Sequence, residues 1–346
     1  MIDASILAEG VFGTTYGKTA NGLIRYSRRY NIRSVLDSRL AGKDAGTVIN
    51  GKPAGIPVVR NLEEAFNNGA RTLVVGIASD GGVLPKDYRP YIRKALSSGY
   101  DVVSGLHEFV SDDPEFGEIA RKTGSKVTDV RKLFRDLRLP FTGRILDVKS
   151  RKIAVLGTDS AVGKRTTAVK LMENVNSRGR TAQMIGTGQT AWMQGFKHTV
   201  VLDAMINDFI PGGLEHVTVE AWEEEKPEFM FLEGQGSVMH PAYPGSFEII
   251  SACKPDAIIL QHSPTRSCYD GFPQFPIEPV ENYIKVLELI SGKKVIAISL
   301  NNDGLSRSQM SEFMDEYRAK FGIPVFDPLG DLSEIGEQII GKEITI

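Results

Sequence analysis

The stretch RKIAVLGTDSAVGKRTTAVKL, residues 151–171, decides the fold of the second half of this chain. It has the pattern of a short apolar strand, then a glycine-containing loop, then a helix. A helix N-terminus offers backbone N–H groups and a partial positive charge, and both favour a bound phosphate. Gly157 and Gly163 let the loop curl around an anion, and Lys164 adds positive charge near the outer phosphates. Residues 157–167 are therefore predicted to form a phosphate-binding P-loop.

The spacing of this loop departs from the usual Walker A motif. In GxxxxGK[ST], the hydroxyl residue after the lysine binds magnesium. Here five residues separate the two glycines, and Arg165 takes the position after Lys164. A cation at that position suits a bare phosphate better than a magnesium–nucleotide complex, unless Thr166 binds the metal instead. The residues predicted to bind phosphate are Gly157, Thr158, Asp159, Ser160, Gly163, Lys164, Arg165, Thr166 and Thr167.

Two candidate catalytic residues follow a second apolar strand, predicted over residues 229–232. Glu233 comes directly after this strand, and a carboxylate at a strand end commonly binds magnesium or positions a substrate. His240 lies a few residues further on, and the ordinary histidine pKa of about 6.5 suits a general base near neutral pH. Both are predicted as catalytic groups. No metal is assigned, but Thr166 and Glu233 are the predicted ligands if Mg–ATP binds.

Other polar side chains are predicted to contact the substrate. Thr187 and Gln189 can donate hydrogen bonds to a carbonyl or a carboxylate. Asp203 and Asn207 are spaced to share one face of a helix predicted over residues 201–209, which suits either an amine or a solvated surface. The full set of predicted substrate contacts is Thr187, Gln189, Asp203, Asn207, Gln235, Tyr243 and Arg266.

The whole chain alternates short apolar runs with helical patterns, which is typical of α/β layers around parallel sheets. Its 346 residues are too many for one ordinary core. The pattern restarts after the turn-like segment LPFTG, residues 139–143, and a short strand is predicted over residues 144–148. We therefore predict a Rossmann-like N-terminal domain over residues 1–147. A P-loop NTPase-like, three-layer α/β/α domain is predicted over residues 148–346.

The glycines near the N-terminus suggest a second nucleotide site, but their spacing does not support one. Gly10, Gly13 and Gly17 fit neither the Walker A motif nor GxGxxG. Asp37 follows the second predicted strand, where a Rossmann fold often places an acid for ribose. A structural turn between strand and helix is the favoured interpretation.

Charge and hydropathy give no reason to expect a nucleic-acid or membrane partner. The formal net charge is −2, and no apolar run reaches the roughly 20 residues that span a bilayer. The N-terminal residues lack the pattern of a signal peptide, so we expect a cytoplasmic protein with a small-molecule substrate. Cys253 and Cys268 form no CxxC pair and are expected to be neutral thiols. The sequence leaves a homo-oligomer open.

The loop GTDSAVGK resembles the GTDTxVGK loop of dethiobiotin synthetase, and residues 229–237 resemble its VEGxGG segment. Further segments match a single family over nearly the whole chain, the D-glutamate N-acetyltransferase-like family, formerly known only as a domain of unknown function. The segments that carry this resemblance are GIASDGGVLP (76–85), SGLHEFVSDDPEF (104–116), GTDSAVGKRTTA (157–168), IGTGQTAWMQG (185–195), LDAMINDFIPGGLE (202–215) and LEGQGSVMHPAYPG (232–245).

This resemblance implies transfer of an acetyl group from acetyl-CoA to the amine of a D-amino acid such as D-glutamate. The P-loop would then bind the phosphates of CoA. Two alternatives stay open from the residues alone. One is an ATP- and magnesium-dependent ligase or kinase of the dethiobiotin-synthetase type, and the other is a non-catalytic nucleotide-binding sensor.

Overall fold

Two six-stranded parallel sheets organise the chain, in a computed structural model that describes residues 1–341. Contacts between residues divide the chain into two units. The first contains Met1–Leu137, Gly188–Lys197 and Asp203–Met205, and the second contains Arg138–Thr187, His198–Leu202 and the described residues from Ile206 onward. One cut in the chain does not separate these units, because two short segments of the second half belong to the first unit.

The first sheet has the strand order β3-β2-β1-β4-β5-β6, which is the order of a Rossmann fold. Every neighbouring pair is parallel. Its strands are β1 (Ile2–Leu7), β2 (Tyr30–Leu36), β3 (Val58–Val59), β4 (Thr72–Val75), β5 (Asp101–Ser104) and β6 (Val127–Asp129). The helices between them are α1 (Lys18–Tyr26), α2 (Ala45–Asn50), α3 (Leu62–Asn67), α4 (Arg89–Ser97), α5 (Pro114–Thr123) and α6 (Lys132–Arg135).

The second sheet has the strand order β14-β13-β10-β7-β9-β8 and is also parallel throughout. Its strands are β7 (Arg151–Gly157), β8 (Ala182–Ile185), β9 (Phe229–Glu233), β10 (Ala257–His262), β13 (Val295–Leu300) and β14 (Val325–Phe326). A separate antiparallel hairpin is formed by β11 (Cys268–Tyr269) and β12 (Phe272–Pro276). The helices of this half of the chain are α7 (Lys164–Ser177), α8 (Gln189–Gln194), α9 (Ile210–Glu225), α10 (Ser246–Cys253), α11 (Val280–Ser291), α12 (Arg307–Phe321) and α13 (Ser333–Gly341). Of these, α8 belongs to the first unit.

Hydrophobic burial accounts for the central strands of this second sheet. Every residue of β9 and of β10 is buried, as expected for parallel strands whose two faces are both covered. The predicted fold class, a Rossmann-like unit followed by a P-loop unit, is confirmed. No helix within residues 1–341 is both long and apolar enough to cross a membrane.

The strand predicted over residues 144–148 is wrong, because a buried carboxylate takes the backbone groups that a strand would use. The segment Arg144–Asp147 is a 3₁₀ turn. Glu215 accepts hydrogen bonds from the backbone N–H groups of Thr142 (2.6 Å) and Ile145 (3.1 Å). Burial alone would raise the pKa of Glu215, but these hydrogen bonds hold it below its usual range. The carboxylate therefore stays charged and fixes the turn.

The helix predicted over residues 201–209 is also wrong. Two short 3₁₀ turns, Leu202–Ala204 and Asn207–Phe209, replace it, and Ile206 between them is extended (φ −67°, ψ 134°). The long helix begins only at Ile210, with Pro211 in its first turn, where proline is well tolerated. The two predicted substrate contacts in this segment therefore do not share a helical face.

The glycine turn near the N-terminus is held by the carboxylate of Asp37. Asp37 is fully buried, and its carboxylate accepts the backbone N–H groups of Phe12 (3.1 Å) and Arg39 (3.1 Å). The Arg39 side chain also pairs with this carboxylate at 3.2 Å. Asp37, the acid that a Rossmann fold can use to bind ribose, is thus engaged in holding this glycine turn.

Both cysteines are free thiols within the described chain. Cys253 is fully buried, and burial raises its pKa to about 12. Cys268 is half-buried in the hairpin. Cys253 is therefore a neutral thiol at physiological pH, as predicted.

Candidate active site around the P-loop

The P-loop leaves the sheet at the end of its central strand. β7 lies between β10 and β9, so residues 157–163 emerge where the carboxyl ends of three parallel strands meet, the usual ligand edge of an α/β sheet. α7 begins at Lys164, directly after Gly163, whose φ of +105° is readily adopted only by glycine. Gly163 has no side chain to cap the helix, so the first backbone N–H groups of α7 are left for a ligand.

Lys164 lies inside the loop and is almost fully buried. Its Nζ donates hydrogen bonds to the backbone carbonyl oxygens of Asp159 (2.6 Å) and Gly236 (2.9 Å). Two glycines make room for its side chain. A Cβ on Gly157 or Gly234 would lie 2.9 Å or 2.8 Å from the Lys164 Cδ. Glycine at both positions therefore leaves room for the lysine side chain, and at Gly234 it also avoids the Val155 carbonyl oxygen, which lies 2.4 Å from the Cβ position.

Asp159 is a fully buried anion that holds the first half of the loop. Its Oδ1 accepts the Ser160 N–H (2.6 Å), and its Oδ2 accepts Arg266 Nη1 (2.7 Å) and the Asp270 N–H (2.9 Å). Burial alone would raise the pKa of Asp159, but contacts with His240, Arg266 and these N–H groups keep it below its usual range. Arg266, predicted as a substrate contact, thus serves this carboxylate.

His240 is buried, and the contacts of its ring define the tautomer. Nδ1 accepts the backbone N–H groups of Ala242 and Tyr243, both at 3.0 Å. The proton of the neutral ring therefore sits on Nε2, which lies 3.3 Å from Asp159 Oδ1. A general base needs an available lone pair, and here that of Nδ1 is engaged by two donors. The catalytic role of His240 stays a prediction, and these contacts favour positioning of the loop.

A second group of predicted residues assembles at the ends of β8 and β9. Arg165 Nη1 lies 3.3 Å from Glu233 Oε1. Glu233 Oε2 accepts the Thr187 N–H (3.0 Å), and the Thr187 hydroxyl donates to the Glu233 backbone carbonyl (2.8 Å). Gln235 Nε2 donates to that same hydroxyl at 3.2 Å. The structure thus brings one predicted phosphate contact, one predicted catalytic acid and two predicted substrate contacts together.

The two threonines that end the predicted loop differ in environment. Thr167 is fully buried, and its hydroxyl contacts the side chains of Gln261 and Ser299 at the sheet edge. Thr166 is half-buried. Thr167 therefore supports the strands below the loop, while Thr166 is the more accessible hydroxyl for a ligand.

The other predicted substrate contacts have partners or environments of their own. Gln189 belongs to the first unit, where its Nε2 donates to the hydroxyl of Thr19 in α1 (3.2 Å). Asp203 also belongs to the first unit and accepts two hydrogen bonds from Arg131 (3.0 and 2.6 Å). Asn207 is exposed in its 3₁₀ turn. Tyr243 is 54% exposed, with its ring centroid 4.8 Å from that of His240.

Sequence reasoning missed His262, the last residue of β10. Its Nδ1 lies 2.9 Å from the hydroxyl of Thr158, and its Nε2 lies 3.2 Å from the hydroxyl of Tyr317. Burial, with a smaller contribution from Arg266, lowers the pKa of His262 to about 4. This neutral imidazole therefore holds the start of the P-loop. The available signal was a polar residue ending the apolar run AIILQH, residues 257–262, where parallel strands present ligand-binding groups.

A strand, a glycine loop around a buried lysine and a helix define the second unit as a P-loop domain, and the first unit is Rossmann-like. Residues 139–335 match the family described as a domain of unknown function (DUF1611_C), P-loop domain. Residues 38–133 match the domain of unknown function (DUF1611_N), Rossmann-like domain. The chain belongs to the DUF1611 family.

Two named relatives and one solved structure resemble the chain over most of its length. A D-glutamate N-acetyltransferase of Tritonibacter scottomollicae is 33% identical over 276 residues, covering 77% of this chain and 80% of the relative. A D-glutamate N-acetyltransferase of a Pseudoalteromonas species is 30% identical over 275 residues, with coverages of 78% and 80%. The crystal structure of a DUF1611 family protein from Anabaena variabilis superimposes with a TM-score of 0.88 at 28% identity, covering 98% of each chain.

Proposed function

We propose that this protein transfers the acetyl group of acetyl-CoA to the amine of a D-amino acid such as D-glutamate, and that its P-loop binds the CoA phosphates. The names of the two relatives, at 33% and 30% identity, support the N-acetyltransferase class. The observation that carries the assignment of the P-loop ligand is the contact between Arg165 and Glu233.

This contact lies where a nucleotide hydrolase would place its metal. In P-loop nucleotide enzymes, magnesium is bound by the hydroxyl after the P-loop lysine and by an acid on a neighbouring strand. Here Arg165 replaces that hydroxyl, and its guanidinium lies 3.3 Å from the acid, Glu233. A guanidinium binds phosphate oxygens directly and keeps its charge at all relevant pH values. The pair therefore favours a metal-free phosphate such as the pyrophosphate of CoA over Mg–ATP.

The loop itself fits a phosphate-bearing ligand. Its glycine N-cap lies at the start of α7, directly before Lys164, and Gly157 and Gly234 leave room for the lysine side chain. Lys164 and Arg165 supply two positive charges at this helix N-terminus, where the helix dipole also favours an anion. We assign the CoA phosphates to residues 157–167.

Acetyl transfer requires a neutral amine next to the thioester. The amine nitrogen attacks the carbonyl carbon, the C–S bond breaks, and the proton lost by the amine balances the thiol of released CoA. Glu233 and His240 are the two predicted bases. Glu233 needs the smaller rearrangement to act as one, because a ligand phosphate that attracts the Arg165 guanidinium would free the carboxylate oxygen that now contacts it. Thr187 and Gln235 lie beside this carboxylate and can hydrogen-bond the amino acid. We therefore assign the proton transfer to Glu233 and loop positioning to His240.

A paired assay tests the proposal. Release of free thiol from acetyl-CoA is followed with a panel of D- and L-amino acids, alongside release of phosphate from ATP with magnesium. We expect thiol release that requires a D-amino acid and proceeds without ATP turnover. ATP cleavage that needs magnesium and an organic acid would refute the proposal and indicate a ligase or kinase. Thermal stabilisation by a nucleotide without any turnover would instead indicate a sensor.

A further inference from the structure

A buried histidine on the edge of the second sheet faces three carboxylates far along the chain from the P-loop. His198 is 1% exposed. Its backbone is fixed, because the Gly186 N–H donates to the His198 carbonyl (2.9 Å) and the Val200 N–H donates to the Gly186 carbonyl (2.9 Å). This isolated parallel bridge extends the edge beyond β8. The backbone that carries the imidazole is therefore fixed by hydrogen bonds to Gly186.

The carboxylates come from the last turns of α9. His198 Nε2 lies 3.0 Å from Glu225 Oε1 and 3.7 Å from Glu224 Oε2. On the other side of the ring, Nδ1 lies 3.9 Å from Glu220 Oε2. Candidate ligand atoms of His198, Glu224 and Glu225 all lie within 4.8 Å of one another. One imidazole nitrogen thus faces two carboxylates, and the other faces a third.

An ordinary histidine–glutamate hydrogen bond leaves one observation unexplained. The Nδ1 of His198 is buried and has no hydrogen-bond partner among residues 1–341. Buried polar atoms are normally paired, because an unpaired one has lost its water without gaining a partner. A cation on Nε2 would place the ring proton on Nδ1, and the Glu220 carboxylate, which lies 3.9 Å away, would accept that proton after a small side-chain shift. Histidine ligands of metals commonly donate their second N–H to such a carboxylate.

We propose that His198, Glu224 and Glu225 form a binding site for a divalent transition-metal ion of the Zn²⁺ class, with Glu220 orienting the imidazole from behind. Imidazole nitrogens and carboxylate oxygens are both established ligands of such an ion. Zinc bond lengths place ligand atoms about 3.3 Å apart in a tetrahedron. The observed separations of 3.0 and 3.7 Å from Nε2 lie on either side of this value. Water supplies the remaining ligand, because the two glutamate side chains are 42% and 30% exposed.

This ion would have a structural role that is independent of the P-loop chemistry. It would join the sheet-edge segment His198–Leu202 to the end of α9, where Glu225 also accepts a hydrogen bond from Gln183 Nε2. Metal binding should therefore raise the unfolding temperature of the chain.

The test uses the full chain after treatment with EDTA. Zn²⁺ is titrated calorimetrically, and Co²⁺ serves as a visible-absorption probe of the ligand geometry. We expect one saturable site per chain and a higher unfolding temperature with Zn²⁺. Glu220→Gln should weaken Zn²⁺ binding by about ten- to a hundredfold, as for other partners that orient a metal-bound histidine.

The variants separate this site from chance binding at surface histidines. His198→Gln, and the half-exposed pair Glu224→Gln with Glu225→Gln, should abolish the saturable site. The double glutamate variant keeps the test valid if His198→Gln does not fold. His216→Gln removes an exposed histidine on the same helix and should bind Zn²⁺ as the unmodified chain does. Absence of a saturable site, or its retention in the double glutamate variant, overturns the proposal.

Discussion

The guanidinium of Arg165 lies 3.3 Å from the carboxylate of Glu233, and the Glu233 side chain is only 5% exposed. The residue after the P-loop lysine is thus paired with the acid at the end of β9. In the proposed function, a bound phosphate would compete with this carboxylate for the guanidinium. Binding of the ligand and release of the acid would then be coupled through one side chain.

Replacing Arg165 by methionine tests its role as a phosphate contact. We expect the KM for acetyl-CoA to rise about tenfold or more, because a hydrogen bond to a charged group contributes about 1.5–3 kcal/mol. Acetyl-pantetheine, which lacks the CoA phosphates, is the matched substrate and should be used equally well by both proteins. A similar loss with both substrates would show that the variant damages the site in some other way.

Glu233→Gln keeps the size of the side chain and one hydrogen-bond acceptor for the Thr187 N–H. We expect kcat to fall by about a hundredfold or more, since general base catalysis contributes about 10²–10⁴. The KM for acetyl-CoA should change little, because the loop keeps its lysine and arginine. Steady-state kinetics with acetyl-CoA varied at saturating amino acid gives both quantities. An unchanged kcat would remove Glu233 from the proton transfer.

His240→Ala separates positioning from base catalysis at the second predicted catalytic residue. The ring contacts Asp159, which in turn holds the Ser160 and Asp270 N–H groups. We therefore expect the KM for acetyl-CoA to rise by more than kcat falls. An unfolding curve of the same variant shows that the chain is still folded. A large fall in kcat at unchanged KM would instead support the base role.

The lowered pKa of His262 predicts that the stability of the fold depends on pH. Its pKa in the folded chain is about 4, compared with an ordinary value of 6.5. The unfolded chain therefore binds a proton at higher pH than the folded chain. The contribution of neutral His262 to the unfolding free energy is fully present above about pH 6.5. It is lost as the pH falls toward 4, and the unfolding free energy then decreases by about 3 kcal/mol in total.

Urea unfolding at pH 7 and pH 4.5 measures this effect. The unfolding free energy should fall more between these two values in the unmodified chain than in His262→Gln, which has no proton to gain. His216→Gln removes an exposed histidine and should behave as the unmodified chain does. Equal pH dependence in all three proteins would contradict the buried neutral state of His262.

Local sequence patterns were sufficient where neighbouring residues determine the structure. The helix predicted over residues 164–177 has these bounds in the structure, because a glycine N-cap and a helical pattern define it locally. The predicted strand at residues 144–148 is absent because Glu215, about 70 residues away, takes the backbone N–H groups. Such a distant carboxylate leaves no trace in the local pattern.

The contacts of the candidate active site are likewise only partly predictable from local sequence patterns. Glu233 and Thr187 are neighbours because each lies at the carboxyl end of a parallel strand, and these ends meet at one edge. Gln189 is only two residues beyond Thr187, yet it belongs to the other unit. His262 was hidden because it ends an apolar strand and its partners, Thr158 and Tyr317, come from distant segments. Neighbouring positions in the sequence therefore did not indicate which unit or which partners a side chain belongs to.

Gly236 offers a test of how tightly the segment after β9 is packed on the loop. Its φ is +51°, and a Cβ there would lie 1.7 Å from the Tyr243 carbonyl oxygen. That oxygen accepts the Ser237 N–H (3.1 Å), while the Gly236 carbonyl accepts Lys164 Nζ (2.9 Å). Gly236→Ala should therefore destabilise the fold by about 3 kcal/mol or more, through backbone strain and overpacking together, and weaken acetyl-CoA binding.

Gly271 in the β11–β12 hairpin provides the matched control for this variant. Its φ is +81°, but nothing described in residues 1–341 lies within 4 Å of the position a Cβ would take. Gly271→Ala therefore carries the backbone strain without the clash and should cost about 1 kcal/mol. Thermal unfolding and the KM for acetyl-CoA are compared for both variants. If the two lose the same stability and bind acetyl-CoA equally, the close approach of Gly236 to Tyr243 does not shape the loop.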